Sequence, residues 1–387
     1  MKSKKYWVLA AALIGCVALW LVLTAMKIRW AERHFSRGLA HSKSGSKQEA
    51  IEDYKKAIRL RPDAAAHYNL ALGYAELGRY ENAIETLKEA IRLKPDDPEA
   101  HFTLGKCYLK LNDPNHAIES LEEAIRIDPD SAEARENLGV AYGMLGRYNK
   151  AVECLRQAIR IRPDDAGSHY NLGKACLKFQ RYDEAIKAYN TAISIKPDYV
   201  EAHIGLGAAY ATLRRYDEAL ESLTQAISIK PDHADAYSNL GRCYLELYRS
   251  SDAIEAYEKA ISLRPDDANS HHALGFAHFR LAHFDEAIEA YKEAIRIDPN
   301  LAGVHCDLGI IRARFREYAE AAKEFKKAIS IDPNFAEAHY NLGNVYLSLG
   351  RIDPALEQYE VLKGLDEDIA GRLHRLISER QAGNKNE

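Results

Sequence analysis

Residues 98–131, PEAHFTLGKCYLKLNDPNHAIESLEEAIRIDPDS, decide the fold, because their pattern returns along most of the chain. Leu104, Gly105 and Tyr108 stand at i, i+1 and i+4, so they share one face of a first helix. Ala117, Leu121 and Ala124 form a second stripe at helical spacing, after a short break at Asn112 and Asp113. The small residues Gly105 and Ala117 stand where the two stripes meet and permit close helix approach. Pro129 then ends the pair, and the Asp that follows it supplies turn and helix-start chemistry.

The prolines carry this reading outward. Pro62, Pro95, Pro129, Pro163, Pro197, Pro231, Pro265, Pro299 and Pro333 are one step of 33 followed by seven steps of 34. A fixed period of this length marks a solenoid of stacked supersecondary units. Ten units follow: 31–63, 64–97, 98–131, 132–165, 166–199, 200–233, 234–267, 268–301, 302–335 and 336–369. The eighth position of a unit is glycine in all but the second, which has Ala71, and the twentieth is alanine in all ten. In the first unit Arg37, His41 and Ser44 replace the usual Leu, Tyr and Leu, so its first helix is expected to pack weakly or to lean on the segment before it. At the other end Leu373, Leu376 and Ile377 continue a first-helix stripe, which predicts a capping helix over 370–380 and a loose tail over 381–387.

These motifs, L-G-x-x-Y followed by A-x-x-x-F/Y, A and P, resemble the tetratricopeptide repeat (TPR) family over residues 31–369. The resemblance implies an all-α, right-handed α-solenoid of helix-turn-helix units whose first helices line a concave, peptide-binding groove. Positions 2, 5, 6, 9, 12 and 13 of those helices line the groove in the family, and here they vary from unit to unit. Position 6 is Asn69, Asn137, Asn171, Asn239 and Asn341 in half the units. An Asn amide can pair with both the C=O and the N–H of an extended peptide, so a row of them tracks a backbone without reading its sequence. The array of the O-linked N-acetylglucosamine transferase carries such a ladder, and the five residues here are similar to an incomplete one. Lys106 with Lys110, Lys174 with Lys178, and Arg242 form a basic row on the same side, which favours an acidic partner segment. Phe102, Tyr170, Phe276 and Tyr340 add apolar contacts beside them. The carboxylate-clamp pattern of co-chaperones, with lysine at position 5, is not present.

Residues 1–6 form a basic tail, and residues 7–26 form an uncharged run long enough to cross the ~30 Å core of a bilayer. Trp7 and Trp30 stand where interfacial aromatics would sit. This segment is expected to be a transmembrane or signal-anchor helix, making the chain a single-pass membrane protein with the side that carries the repeats left open. The rival reading is a lipobox, Leu13-Ile14-Gly15-Cys16, with Cys16 lipidated on an envelope protein that assists pilus or polysaccharide assembly.

With 28% charged residues and a net charge of -4, the chain is too balanced for a nucleic-acid binder, and no nucleic acid or small-molecule substrate is expected. Its six cysteines have no C-x-x-C pair, which argues against a zinc site or a disulfide framework. No nucleotide-binding, hydrolase or metalloprotease motif interrupts the repeats, so an enzyme is not expected and no cofactor is implied. Eight histidines recur at position 4, a repeat apart and so too distant to share one ion; they are expected to pack or cap within the helix interface. His271, His272, His278 and His283 form the one cluster worth a metal assay. The reading that results is a membrane-anchored scaffold for protein or peptide partners, with the non-catalytic subunit of a glycosyltransferase system as an alternative.

Overall fold

The computed structural model describes the backbone of residues 2–383 and the side chains of residues 15–382. Among these the regular structure is entirely helical. A first compact unit ends at Pro197 and a second begins at Asp198. The first holds five hairpins: α1 (Lys2–Lys43) with α2 (Lys47–Leu60), α3 (Ala64–Glu76) with α4 (Tyr80–Leu93), α5 (Pro98–Lys110) with α6 (Pro114–Ile127), α7 (Ala132–Met144) with α8 (Tyr148–Ile161), and α9 (Ala166–Lys178) with α10 (Tyr182–Ile195). The second holds α11 (Val200–Thr212) with α12 (Tyr216–Ile229), α13 (Ala234–Glu246) with α14 (Ser250–Leu263), α15 (Ala268–Arg280) with α16 (Phe284–Ile297), α17 (Ala302–Arg314) with α18 (Tyr318–Ile331), α19 (Ala336–Ser348) with α20 (Ile352–Leu365), and a closing helix α21 (Glu367–Gly383).

One turn geometry serves every hairpin. The residue two places beyond the first helix is left-handed each time, glycine at Gly45, Gly78, Gly146 and Gly350 and a residue with a Cβ at the other six. The next amide then closes on the carbonyl five residues back, as in Arg79 N–H to Tyr74 O at 2.9 Å, which satisfies the exposed helix end. Between hairpins the helix cap lies one residue later than the sequence suggests. Only Asp63 follows its proline directly, where it accepts the Ala66 amide at 3.1 Å. Elsewhere the cap is the second residue after the proline, such as Ser131 or Asp165. The position-4 histidines brace the same turn: His101, His169, His271 and His339 donate from Nε2 to the carbonyls of Pro95, Pro163, Pro265 and Pro333 at 2.8, 2.9, 3.0 and 3.1 Å.

Helix packing follows from the small residues. A Cβ on Gly105 would fall 2.6 Å from Leu121 Cγ, and Ala117 beneath it is wholly buried, so the paired helices meet closer than larger side chains allow. In the last hairpin Gly343 faces Leu373 of α21 instead of a side chain from α20. Helix α21 thereby completes the core of α19, while Tyr359 tilts against the His374 ring at 4.9 Å. The first hairpin is pinned by charge as well as by Ile51 and Tyr54. Arg37 donates to Asp53 at 2.7 and 2.8 Å, and His34 lies 3.0 Å from the same buried carboxylate, which is held down at about 2 by these partners. Of the replacements that promised weak packing, Arg37 is therefore part of a polar latch.

The membrane-spanning segment expected at 7–26, and with it the single-pass membrane localisation, is overturned. Among the described residues no helix is long and apolar enough to cross a membrane. The side chains of 1–14 lie outside those residues. Helix α1 then runs on unbroken through Lys27, Arg29 and Arg33 into the first hairpin.

Candidate functional site

Within each unit, successive first helices touch one another, α3 with α5, α5 with α7 and α7 with α9, then α11 with α13, α13 with α15 and α17 with α19. Second helices meet each other marginally at most, so the first helices form the tighter, inner layer. Position 5 of one first helix faces position 6 of the next. Tyr68 Oη lies 3.5 Å from Thr103 Oγ1, Asn171 donates to Glu136 at 2.9 Å, and His272 Nε2 lies 2.8 Å from Asp307 Oδ2.

The asparagines sit on this layer with one amide hydrogen already engaged. Asn69, Asn137 and Asn239 each donate at 2.8 Å to the carbonyl four residues back, Ala65, Glu133 and Asp235. Asn171 donates to Glu136, and Asn341 points toward Cys306 Sγ at 4.0 Å. Each amide has a second N–H and a carbonyl oxygen beyond these bonds. The oxygen of Asn239 is taken up by Arg242 at 2.9 Å.

In the first unit the inner layer opens into a cavity of about 180 Å³ between α7 and α9. Tyr148 and Leu155 of α8 form its floor, Val140 and Met144 one wall, and Asn171, Lys174 and Lys178 the other. The opening has a simple cause. Position 12 is Gly143 here, and a Cβ on it would touch nothing within 4 Å, whereas the third and fifth hairpins carry Leu109 and Leu177 at that place. A second opening, lined by Ile310, Ala313, Asn341 and Asn344, repeats this geometry between α17 and α19, again beside a small residue at position 12. Residue-by-residue reading missed both openings, although the small residues Gly143 and Ala313 at position 12 are visible in the sequence.

Charge across this face is unbalanced. On the side of the helix starts, Glu133 is neutralised by Arg162 at 2.6 Å and, in the second unit, Asp235 by Arg264 at 2.8 Å. Burial, reinforced by Asp165, pushes the Glu136 carboxyl up. On the side of the helix ends, Lys106, Lys110, Lys174 and Lys178 have no carboxylate partner among the described residues. Lys106 holds its ammonium over the Phe102 ring at 5.2 Å and remains exposed. Tyr170 tilts against the buried Tyr189 at 6.0 Å, Tyr340 carries Arg372 at 5.5 Å, and Phe276 stacks on Phe279 at 6.5 Å. The first-unit residues Asn171, Lys174 and Lys178 are thus brought to one cavity, while Arg242, Phe276, Asn239, Asn341 and Tyr340 belong to the second unit's own face.

Among the described residues no group of three or more His, Cys, Asp or Glu side chains is placed to hold a metal ion. Of the histidine cluster, His271 is bound to the Pro265 carbonyl, His272 to Asp307, and the His278 and His283 rings tilt against each other at 5.8 Å. Burial pushes the thiols of Cys107, Cys154 and Cys243 up to about 11 and that of Cys306 to about 12, so they are poor nucleophiles.

Family models agree with the repeat architecture. Models described as TPR repeat or tetratricopeptide repeat match residues 31–63, 71–112, 108–146, 145–180, 175–213, 204–268, 268–301, 317–350 and 336–368. The chain belongs to the tetratricopeptide repeat family, whose members bind protein or peptide partners. Among solved structures it is similar to MamA, at 32% identity over 42% of this chain and 95% of that one, with a TM-score of 0.40. It is also similar to YrrB, described as a TPR protein with an unusual peptide-binding site, at 25% identity over 49% of this chain and 98% of that one, with a TM-score of 0.41. A tetratricopeptide repeat protein from Parabacteroides merdae shares the fold at 18% identity over 64% of this chain and 99% of that one, with a TM-score of 0.54. A search of curated proteins gives no match.

Proposed function

We propose that the chain is a non-catalytic binding scaffold whose first unit takes an extended acidic segment of a partner protein across α5, α7 and α9. The observation that carries this reading is the juxtaposition of the α7–α9 cavity with lysines that have no carboxylate partner among the described residues. An apolar cavity of about 150 Å³ is enough to hold a benzene ring, so this one suits a single aromatic or branched side chain. Lys174 and Lys178 at its rim then select carboxylates on the neighbouring residues, and the remaining amide groups of Asn137 and Asn171 are available to the partner's backbone.

The test is titration of the full chain with a short synthetic peptide that alternates Glu with Phe and Leu. Replacing Lys174 and Lys178 together by Glu should lower the affinity by about tenfold or more, with the largest loss at low salt. Gly143→Leu, which fills the cavity with the side chain other hairpins carry, should also weaken binding while the helix content is unchanged. Affinity that ignores all three changes would retire the cavity as the site.

A further inference from the structure

In the second unit a different surface stands out at the turn-side ends of the first helices. Tyr248 holds its backbone in the left-handed region at φ 60 and shows 83% of its surface to solvent. Arg280, the last residue of α15, stacks on that ring at 4.5 Å and donates to the Leu245 carbonyl, so both side chains are held in place from neighbouring hairpins. One hairpin further, Arg314 lies over Phe284 at 5.1 Å, and Phe315 meets the same ring edge-on at 5.4 Å while remaining 53% exposed.

The arginines here are not spent on internal pairs. Glu317, the nearest acid in the chain to Arg314 and Arg316, is engaged by Arg312 at 3.1 Å. Arg280, Arg314 and Arg316 have no carboxylate partner among the described residues. A guanidinium stacked on an aromatic ring keeps its in-plane N–H groups free and loses little further freedom when it binds, which suits it to a bidentate carboxylate contact. Lysine has neither the plane nor the fork. Exposed rings between such cations bury apolar side chains of whatever supplies the carboxylates.

We infer that this edge of α13–α17 is a second docking surface, for a protein segment in which carboxylates flank aromatic or aliphatic side chains, independent of the lysine-rimmed cavity of the first unit. Charge complementarity fixes that occupant. The overall charge of -4 disfavours the alternative use of aromatic and arginine side chains, stacking on single-stranded nucleic acid.

The experiment is calorimetric titration of the full chain with the same alternating Glu and Phe/Leu peptide, read for stoichiometry. About two peptides per chain are expected. Arg280→Glu with Arg314→Glu should remove one of them and leave the other, and Lys174→Glu with Lys178→Glu should remove the complementary one. Arg280→Lys with Arg314→Lys keeps the charge and should still weaken the second-unit site by about threefold to tenfold, because fork and stacking are lost. Lys174, Lys178 and Arg314 are exposed and Arg280 is half-buried, and unchanged helical circular dichroism checks the fold. A stoichiometry of one that only the lysine changes abolish overturns this inference and leaves the proposed function standing; one that only the arginine changes abolish does the reverse. Indifference to the arginine-to-lysine exchange, no peptide binding, or tighter binding of a short oligothymidylate at the same arginines would each overturn the inference.

Discussion

Replacing a glycine by alanine should have opposite consequences at two helical positions that look alike in sequence. A Cβ on Gly275 would sit 2.5 Å from both Cδ1 and Cε1 of Tyr291 and 3.2 Å from the Ala287 carbonyl oxygen. Tyr291 is fully buried, so the ring cannot swing away into solvent. Forced overpacking of this kind costs about 1–3 kcal/mol, and a blocked ring belongs at the upper end. Alanine's better helix propensity returns about 1 kcal/mol, leaving Gly275→Ala destabilising by about 2 kcal/mol. At Gly143 the Cβ meets nothing within 4 Å, so Gly143→Ala should stabilise its hairpin by up to about 1 kcal/mol. Stacked repeats need not unfold in one step, so the measurement is hydrogen exchange of amides in α7 and α15. A difference of about 3 kcal/mol is more than a hundredfold in the opening equilibrium. Equal protection changes at the two sites, or faster exchange in α7, would show that packing against the position-24 side chain does not decide what position 8 can hold.

Other consequences follow from the same geometry. Because the folded Asp53 carboxyl titrates at about 2 instead of 3.8, its contribution is complete above pH 4 and is lost as pH falls through 2. At neutral pH this amounts to roughly 2 kcal/mol, and Asp53→Asn should remove it, loosening α1 from α2 in hydrogen exchange; a variant as protected as the parent at pH 7 would contradict the latch. Ala282 is left-handed at φ 59, so Ala282→Gly should raise stability by about 0.5–1 kcal/mol in denaturant titration, and a loss would show that the turn is not strained. At pH 8 the native chain should react quickly with iodoacetamide at exposed Cys16, the buried thiols of Cys107, Cys176, Cys243 and Cys306 labelling after unfolding; rapid labelling at Cys107 or Cys243 would refute their burial.

Much of the helical hairpin design was legible because it is local. A glycine at position 8 and alanines at positions 20 and 27 report how near two consecutive helices must come, and the 34-residue recurrence repeats that message often enough to identify the family. The first thirty residues misled for the opposite reason. A count of uncharged residues from Trp7 to Met26 takes no account of α1 continuing into Lys27, Arg29 and Arg33 as the first helix of a hairpin. Arg37 likewise read as poor packing until Asp53, from the next helix, was brought beneath it.

What the amino-acid order determined by itself is therefore the unit: helix, break, helix, proline, with small residues where the two helices cross. Only the tertiary structure decided which side chains on the inner layer are already engaged. Glu133 is silenced by Arg162, some thirty residues away, Asn171 is tied to Glu136 across a hairpin boundary, and Leu373 reaches into the last hairpin from α21. Pairing across hairpins depends on how one unit stacks on the next, a geometry set by the summed packing of many residues and written in no single repeat.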